Sequence, residues 1–152
     1  MDKLDFDDIV VGQTFVSSSL TVDAAEIKAF AAQFDPQPFH LDEAAARASL
    51  FGGLVASGWH TAAMTMRLLV GGGIPLEGGL IGVGGELTWP RPTRPGDTLT
   101  VSSEVLEARP SRSNPGRGVV IIRSETRNQH GEPVQIATMR LVAPRRAPGL
   151  PG

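Results

Sequence analysis

The chain has no cysteine and no tyrosine among its 152 residues, and only two tryptophans and six phenylalanines. Without cysteine, disulfides, thiolate nucleophiles and cysteine-based zinc sites are excluded, together with any sequence argument for an oxidising compartment. Aromatic side chains this sparse, with no basic residues interleaved, speak against the stacking platforms of a nucleic-acid binder. No apolar run approaches the roughly 18 residues of a membrane helix. The first eight residues are acidic where a signal peptide would be basic and then apolar. The expectation is a cytoplasmic protein with no membrane and no nucleic-acid partner. Three scattered histidines lack ligand spacing, so no metal site is expected.

What is present suits one globular domain with a sizeable core, since 41% of the residues are hydrophobic. The net charge of −2 conceals an asymmetry. Residues 1–90 carry 4 Lys/Arg against 11 Asp/Glu, whereas residues 91–152 carry 10 against 5, and every one of those later cations is arginine. Arginine suits bidentate contact with phosphates, although a solvated strand face explains any single one as well.

Residues 13–22 have the β-branched, alternating character of a strand. Asp23 then offers an N-cap, with Glu26 at the capping-box position, for a helix over 24–34. Residues 41–49 predict a short helix. From Gly58 to Val70 the chain is apolar nearly all round and stops at Gly71, Gly72 and Gly73, which predicts a helix buried on every side. Four further strands are expected over 80–89, 97–108, 118–128 and 133–142, separated by Pro/Gly/Ser/Asn turns. The run Val119 to Ile122 lacks alternation, as a central strand covering the helix would. The pattern is α+β, an antiparallel sheet packed on one long helix. No Gly-x-Gly-x-x-Gly or Gly-Lys-Ser/Thr context surrounds the paired glycines, which read as turns, a helix stop and a strand irregularity.

The chemistry concentrates in Asp35-Pro36-Gln37-Pro38-Phe39-His40-Leu41-Asp42, where two prolines restrict how an acid and an imidazole can lie relative to each other. Such a pair can hold one water, and imidazole titrates near neutral pH, as proton transfer in both directions requires. The plain alternative is an aspartate capping a turn with a histidine packed beside it. Gly58 opens the apolar helix, where backbone N–H groups are unpaired and the dipole is positive. An oxygen gaining charge in a transition state would be stabilised there. Ser57 is placed to be the N-cap, and no Gly-x-Ser-x-Gly elbow surrounds it. His60, in the first helical turn, can touch substrate or serve as a core or interface histidine, and its isolation from acids in sequence favours the latter. His130 sits in a surface turn.

These residues, with Ala56-Ser57-Gly58 at the helix start and the segment Trp89 to Leu99, resemble the MaoC-like dehydratases. That family includes the (R)-specific enoyl-CoA hydratases, whose signature is Asp-x-Asn-Pro-x-His. Gln37 stands where the signature has Asn. The resemblance implies a single hotdog domain over 1–143, with 144–152 a disordered tail, and a homodimer or larger homo-oligomer whose sheets run edge to edge. It implies a lyase that reversibly hydrates a trans-2-enoyl-CoA to the (R)-3-hydroxyacyl-CoA, with acyl-CoA as substrate and no cofactor. Asp35, His40 and Gly58 would be catalytic, and Ser57, Trp59, His60 and Arg94 would contact substrate. His40 would take the proton of the water while Asp35 orients it and handles the proton at the α-carbon, a division the sequence leaves open. The alternatives are a hotdog acyl-CoA thioesterase and a non-catalytic acyl-thioester-binding subunit.

Overall fold

The computed structural model describes residues 2–145. Strand β1 (Thr14–Thr21) leads into helix α1 (Ala24–Phe34), two short helices α2 (Pro38–Leu41) and α3 (Glu43–Arg47), and the longer helix α4 (Gly58–Leu68). Strands β2 (Ile81–Thr88), β3 (Thr98–Pro110), β4 (Arg117–Arg127) and β5 (Pro133–Pro144) follow. They form one five-stranded sheet in the order β1-β3-β4-β5-β2, every pair antiparallel. This is the hotdog architecture, with α4 lying against the sheet. Pro144 ends β5, and Arg145 donates to Gly116 O and to the Asp7 carboxylate. Of the expected tail, residues 146–152 lie outside the described residues.

Several expectations need correction. Asp23 does cap α1, accepting from Ala25 N–H at 3.3 Å, but its capping box with Glu26 does not form. The short helix expected over 41–49 is α3, shorter than expected and started by the Asp42 carboxylate, which accepts from Ala45 N–H, while α2 just before it was not expected. Val119 to Ile122 does alternate. Val120 and Ile122 are buried under α4's side of the sheet, while Val119 and Ile121 are half-buried on the other face, because a central strand need be covered fully on one face only. For the same reason α4 is not buried all round. His60, Thr61, Met64, Thr65 and Leu68 face the core with Val101, Val105, Ile122 and Leu141, whereas Trp59 (61% exposed), Met66 (45%) and Val70 (58%) face outward. A single sheet wraps half a helix. The glycine stop runs through one π-helical turn (Leu69–Gly73) and ends at Gly72, whose φ of 126° suits only glycine. Gly84, with φ of 150°, marks a register shift in β2 opposite Arg140.

Candidate active site

Asp35 is the residue on which α1 ends, and its N–H closes the last helical bond to Ala31 O. Pro36 then forbids continuation, and Pro38 sits at the first position of α2, where its missing N–H costs nothing. His40 is thus on a short helix, not in an open loop, one turn on from Gln37, whose carbonyl accepts from His40 N–H. The imidazole is 5% exposed. Its Nδ1–H donates to Val55 O at 2.7 Å, which fixes the ring and, in the neutral form, leaves the lone pair on Nε2. Nε2 lies 3.3 Å from Asp35 Oδ2. Phe39 packs edge-on against the ring from one side, its centroid 4.5 Å away, and Phe51 backs Phe39.

Two side-chain donors, the Ser57 hydroxyl and the Gln37 amide, act on the Asp35 carboxylate, with the His40 ring beside it. The Ser57 hydroxyl does most to hold it below its usual pKa; the Gln37 amide, donating to Oδ1 at 2.5 Å, and His40 add to this, while partial burial opposes them. Asp35 is therefore ionised at neutral pH. Gln37, two positions after the acid, fills the role of an amide donor with one methylene more than asparagine.

Ser57 is fully buried and caps α4, accepting from Trp59 N–H at 3.2 Å. The first residue of α4, Gly58, follows it, and its N–H has no acceptor among the described residues. A cavity of about 490 Å³ lies in front of these groups, with Asp35 and His40 on one wall, Gly58 and Trp59 on another, and the segment from Trp89 to Thr93 closing it. That segment is tied down: Ala56 N–H donates to Thr93 O at 2.8 Å, and the buried Thr61 hydroxyl donates to Thr93 Oγ1 at 2.9 Å. A second, apolar cavity of about 170 Å³ lies further along α4, between Ala62, Met66 and Leu69 and the sheet residues Leu87, Ala137 and Met139.

The structure brings together Asp35, His40, Gly58 and Trp59. Ser57 lies behind the wall, against the carboxylate. His60 points away, stacked on Phe30 with centroids 4.7 Å apart, and its Nδ1 is buried without a partner. Burial pushes the His60 pKa down, with Glu26 partly opposing. Arg94 is not on the cavity wall. Its guanidinium donates to Phe51 O at 2.8 Å and so straps the loop that carries Phe51. Sequence reasoning missed Trp89 and Arg91, both on the wall; Arg91 is paired with Glu132 at 3.1 Å. The available signal was a tryptophan among prolines directly after a strand. Among the described residues no group of three or more His, Asp and Glu is placed to hold a metal ion, and no helix is long and apolar enough to cross a membrane.

A domain with this fold and an acid–imidazole pair facing a helix N-terminus is a candidate dehydratase, and comparison with known proteins places it. The MaoC-like domain family matches residues 8–127, and the chain belongs to that family. Its structure superposes on that of a MaoC-like dehydratase from Rhodospirillum rubrum with a TM-score of 0.93 and 60% identity, covering 95% of this chain and 99% of the other. The (R)-hydratase PhaJ1 of Pseudomonas aeruginosa is similar at 27% identity and a TM-score of 0.75, with 99% and 95% of the two chains covered. An uncharacterised protein of Bacillus subtilis, YdeM, is 34% identical over 124 residues, which is 81% of this chain and 86% of that one. Membership of this family supports a hydratase or dehydratase activity.

Proposed function

We propose that the protein catalyses the reversible hydration of a trans-2-enoyl thioester, carried on CoA, to the (R)-3-hydroxyacyl thioester. The observation that carries this reading is the convergence of His40 Nε2 and Asp35 Oδ2, 3.3 Å apart on the cavity wall, with the ring pinned from behind through Nδ1. A water seated between them donates one hydrogen to each and turns its oxygen lone pairs toward the cavity. As that oxygen bonds to C3, its proton passes to Nε2, and the C2–C3 π electrons move toward the thioester carbonyl. The enolate oxygen so formed is met by the unpaired Gly58 N–H at the positive end of α4. The imidazolium, held by the ionised Asp35, then returns the proton to C2. Asp35 has no proton of its own to give at neutral pH, so it orients and neutralises charge while His40 relays.

Incubating the purified protein with enoyl-CoA esters of increasing length tests this. Conjugated absorbance should fall, 3-hydroxyacyl-CoA should accumulate, and no free thiol should appear; release of thiol would point instead to a thioesterase. The same reading includes a homodimer, because Trp59 and Met66 on α4, with Val70 in the turn that follows it, are exposed apolar side chains that the single sheet leaves uncovered. Sedimentation at assay concentration should give twice the chain mass, and an active monomer would refute it.

A further inference from the structure

Gly58 has no torsional reason to be glycine. It is the first residue of α4 and is not among the residues with positive φ. What excludes a side chain is the indole above it. A Cβ at position 58 would lie 2.7 Å from both Cδ2 and Cε2 of Trp89 and 2.9 Å from Cε3, far inside the roughly 3.5–4.0 Å of carbon–carbon contact. Trp89 is fixed in turn. Its Nε1–H donates to Oε1 of the buried Gln135 on β5 at 3.0 Å, and its ring meets that of Trp59 edge-on at 5.2 Å and 84°. One indole thus spans from β5 to the first turn of α4.

We propose that Trp89 is a positioning residue: its indole lies flat on Gly58, holds the α4 N-terminus and keeps the Gly58 N–H aimed into the cavity, and glycine is required because the ring occupies the Cβ space. The catalytic half of this inference rests on Gly58 being the donor to the thioester oxygen. The packing half does not. Trp59 and Trp89 are the chain's two tryptophans, so near-ultraviolet circular dichroism and fluorescence read their contact with no other indole contributing.

The experiment is a cycle of Gly58→Ala, Trp89→Leu and the double variant, each followed by melting, near-ultraviolet spectrum and enoyl-CoA kinetics. Gly58→Ala should lose the coupled tryptophan signal and drop kcat by about thirtyfold or more with little change in KM. Trp89→Leu should cost about five- to tenfold, and adding Gly58→Ala to it should cost less than about threefold more, because the methyl now has room. Additive losses in the cycle, or an unchanged tryptophan spectrum in Gly58→Ala, would overturn the proposal. Should Gly58→Ala fail to fold, a folded double variant supports the steric account, and an unfolded one beside a folded Trp89→Leu overturns it. Should the wild type hydrate no enoyl-CoA, the proposed function falls, while spectrum and melting still decide the packing.

Discussion

Asp35 and His40 on one wall of the cavity are fixed by side-chain hydrogen bonds over short stretches of chain: Gln37, two residues along, donates to Asp35, and His40 donates to Val55 O fifteen residues away. Gly58 on the facing wall is fixed by packing from afar, under a tryptophan that is itself held by a glutamine 46 residues further on. The first wall orders side chains and sets a charge. The second orders a backbone N–H, which no side chain can adjust, so its aim depends on whatever presses on the helix start. A site built this way should fail differently at its two walls: deletion on the dyad side removes chemistry, whereas deletion on the glycine side loosens geometry.

The largest effect is expected at the dyad. Asp35→Asn and His40→Ala should each lower kcat by about a hundredfold or more, the usual scale of general acid–base help, with the fold retained. His40→Ala should also melt lower, because it empties a buried position and leaves Val55 O without its donor. Initial rates on the best enoyl-CoA, beside a thermal melt of each variant, check this; near-normal turnover in either would unseat the pair.

Ser57→Ala attacks both walls at once, because one hydroxyl caps α4 and also holds down the pKa of Asp35. Loss of the cap costs about 1 kcal/mol. Because the Asp35 pKa is lowered in the fold, its contribution to stability is present above the ordinary value of 3.8 and is lost as pH falls through the depressed value. Without the hydroxyl the Asp35 pKa should rise toward the ordinary value, so that contribution shrinks and its acid-side loss is complete at a higher pH. NMR titration of the Asp35 carboxyl, with about a tenfold fall in kcat, would sharpen the contrast between charge and geometry; an unmoved titration would separate Ser57 from Asp35.

How far each wall was legible in the sequence follows from the same contrast. The acid, the imidazole and the prolines lie within a few residues of one another and the serine stands directly before its helix, so the closeness of the pair and the cap could be read from local order. The helices 24–34 and 58–68 and all five strands were likewise legible from periodicity and turn residues. What was not legible depends on contacts between distant segments. Arg94 resembles an anion ligand in sequence and becomes a strap only when the loop of Phe51 arrives beside it. Trp89 gains its role only when β2 ends above Gly58. The half-exposed state of α4 could not be read either, because an apolar helix has the same pattern whether a sheet or a second chain covers it.

The Thr61–Thr93 hydrogen bond rivets α4 to the segment that closes the cavity, and it separates cost from net value. Thr61→Val leaves the Thr93 hydroxyl buried without its donor and should cost about 1–3 kcal/mol, whereas removing both hydroxyls with Thr93→Val as well should recover most of that loss. Chemical denaturation of the two variants measures it. Equal losses would mean that the rivet positions the wall by more than hydrogen-bond satisfaction.

The smallest effect belongs to His60, which touches neither wall. Its ring is buried against Phe30, its Nδ1 has no partner, and desolvation lowers its pKa below 6.5. The unfolded chain then binds a proton more readily than the folded one, so the titration of this histidine adds no cost above pH about 6.5 and destabilises progressively as pH falls from there toward the lowered folded value. His60→Phe keeps the stacking shape, removes the orphaned nitrogen and removes the titration. Its melting temperature should lie a few degrees above wild type at neutral pH, on the scale of about 2–4 °C per kcal/mol for a chain of this size, and the gap should widen as the pH is lowered through 6. Turnover should be unchanged, because the ring faces α1 and not the cavity. A gap that stays constant with pH would show that His60 does not titrate on unfolding, and a loss of turnover would bring this face of α4 into the site after all.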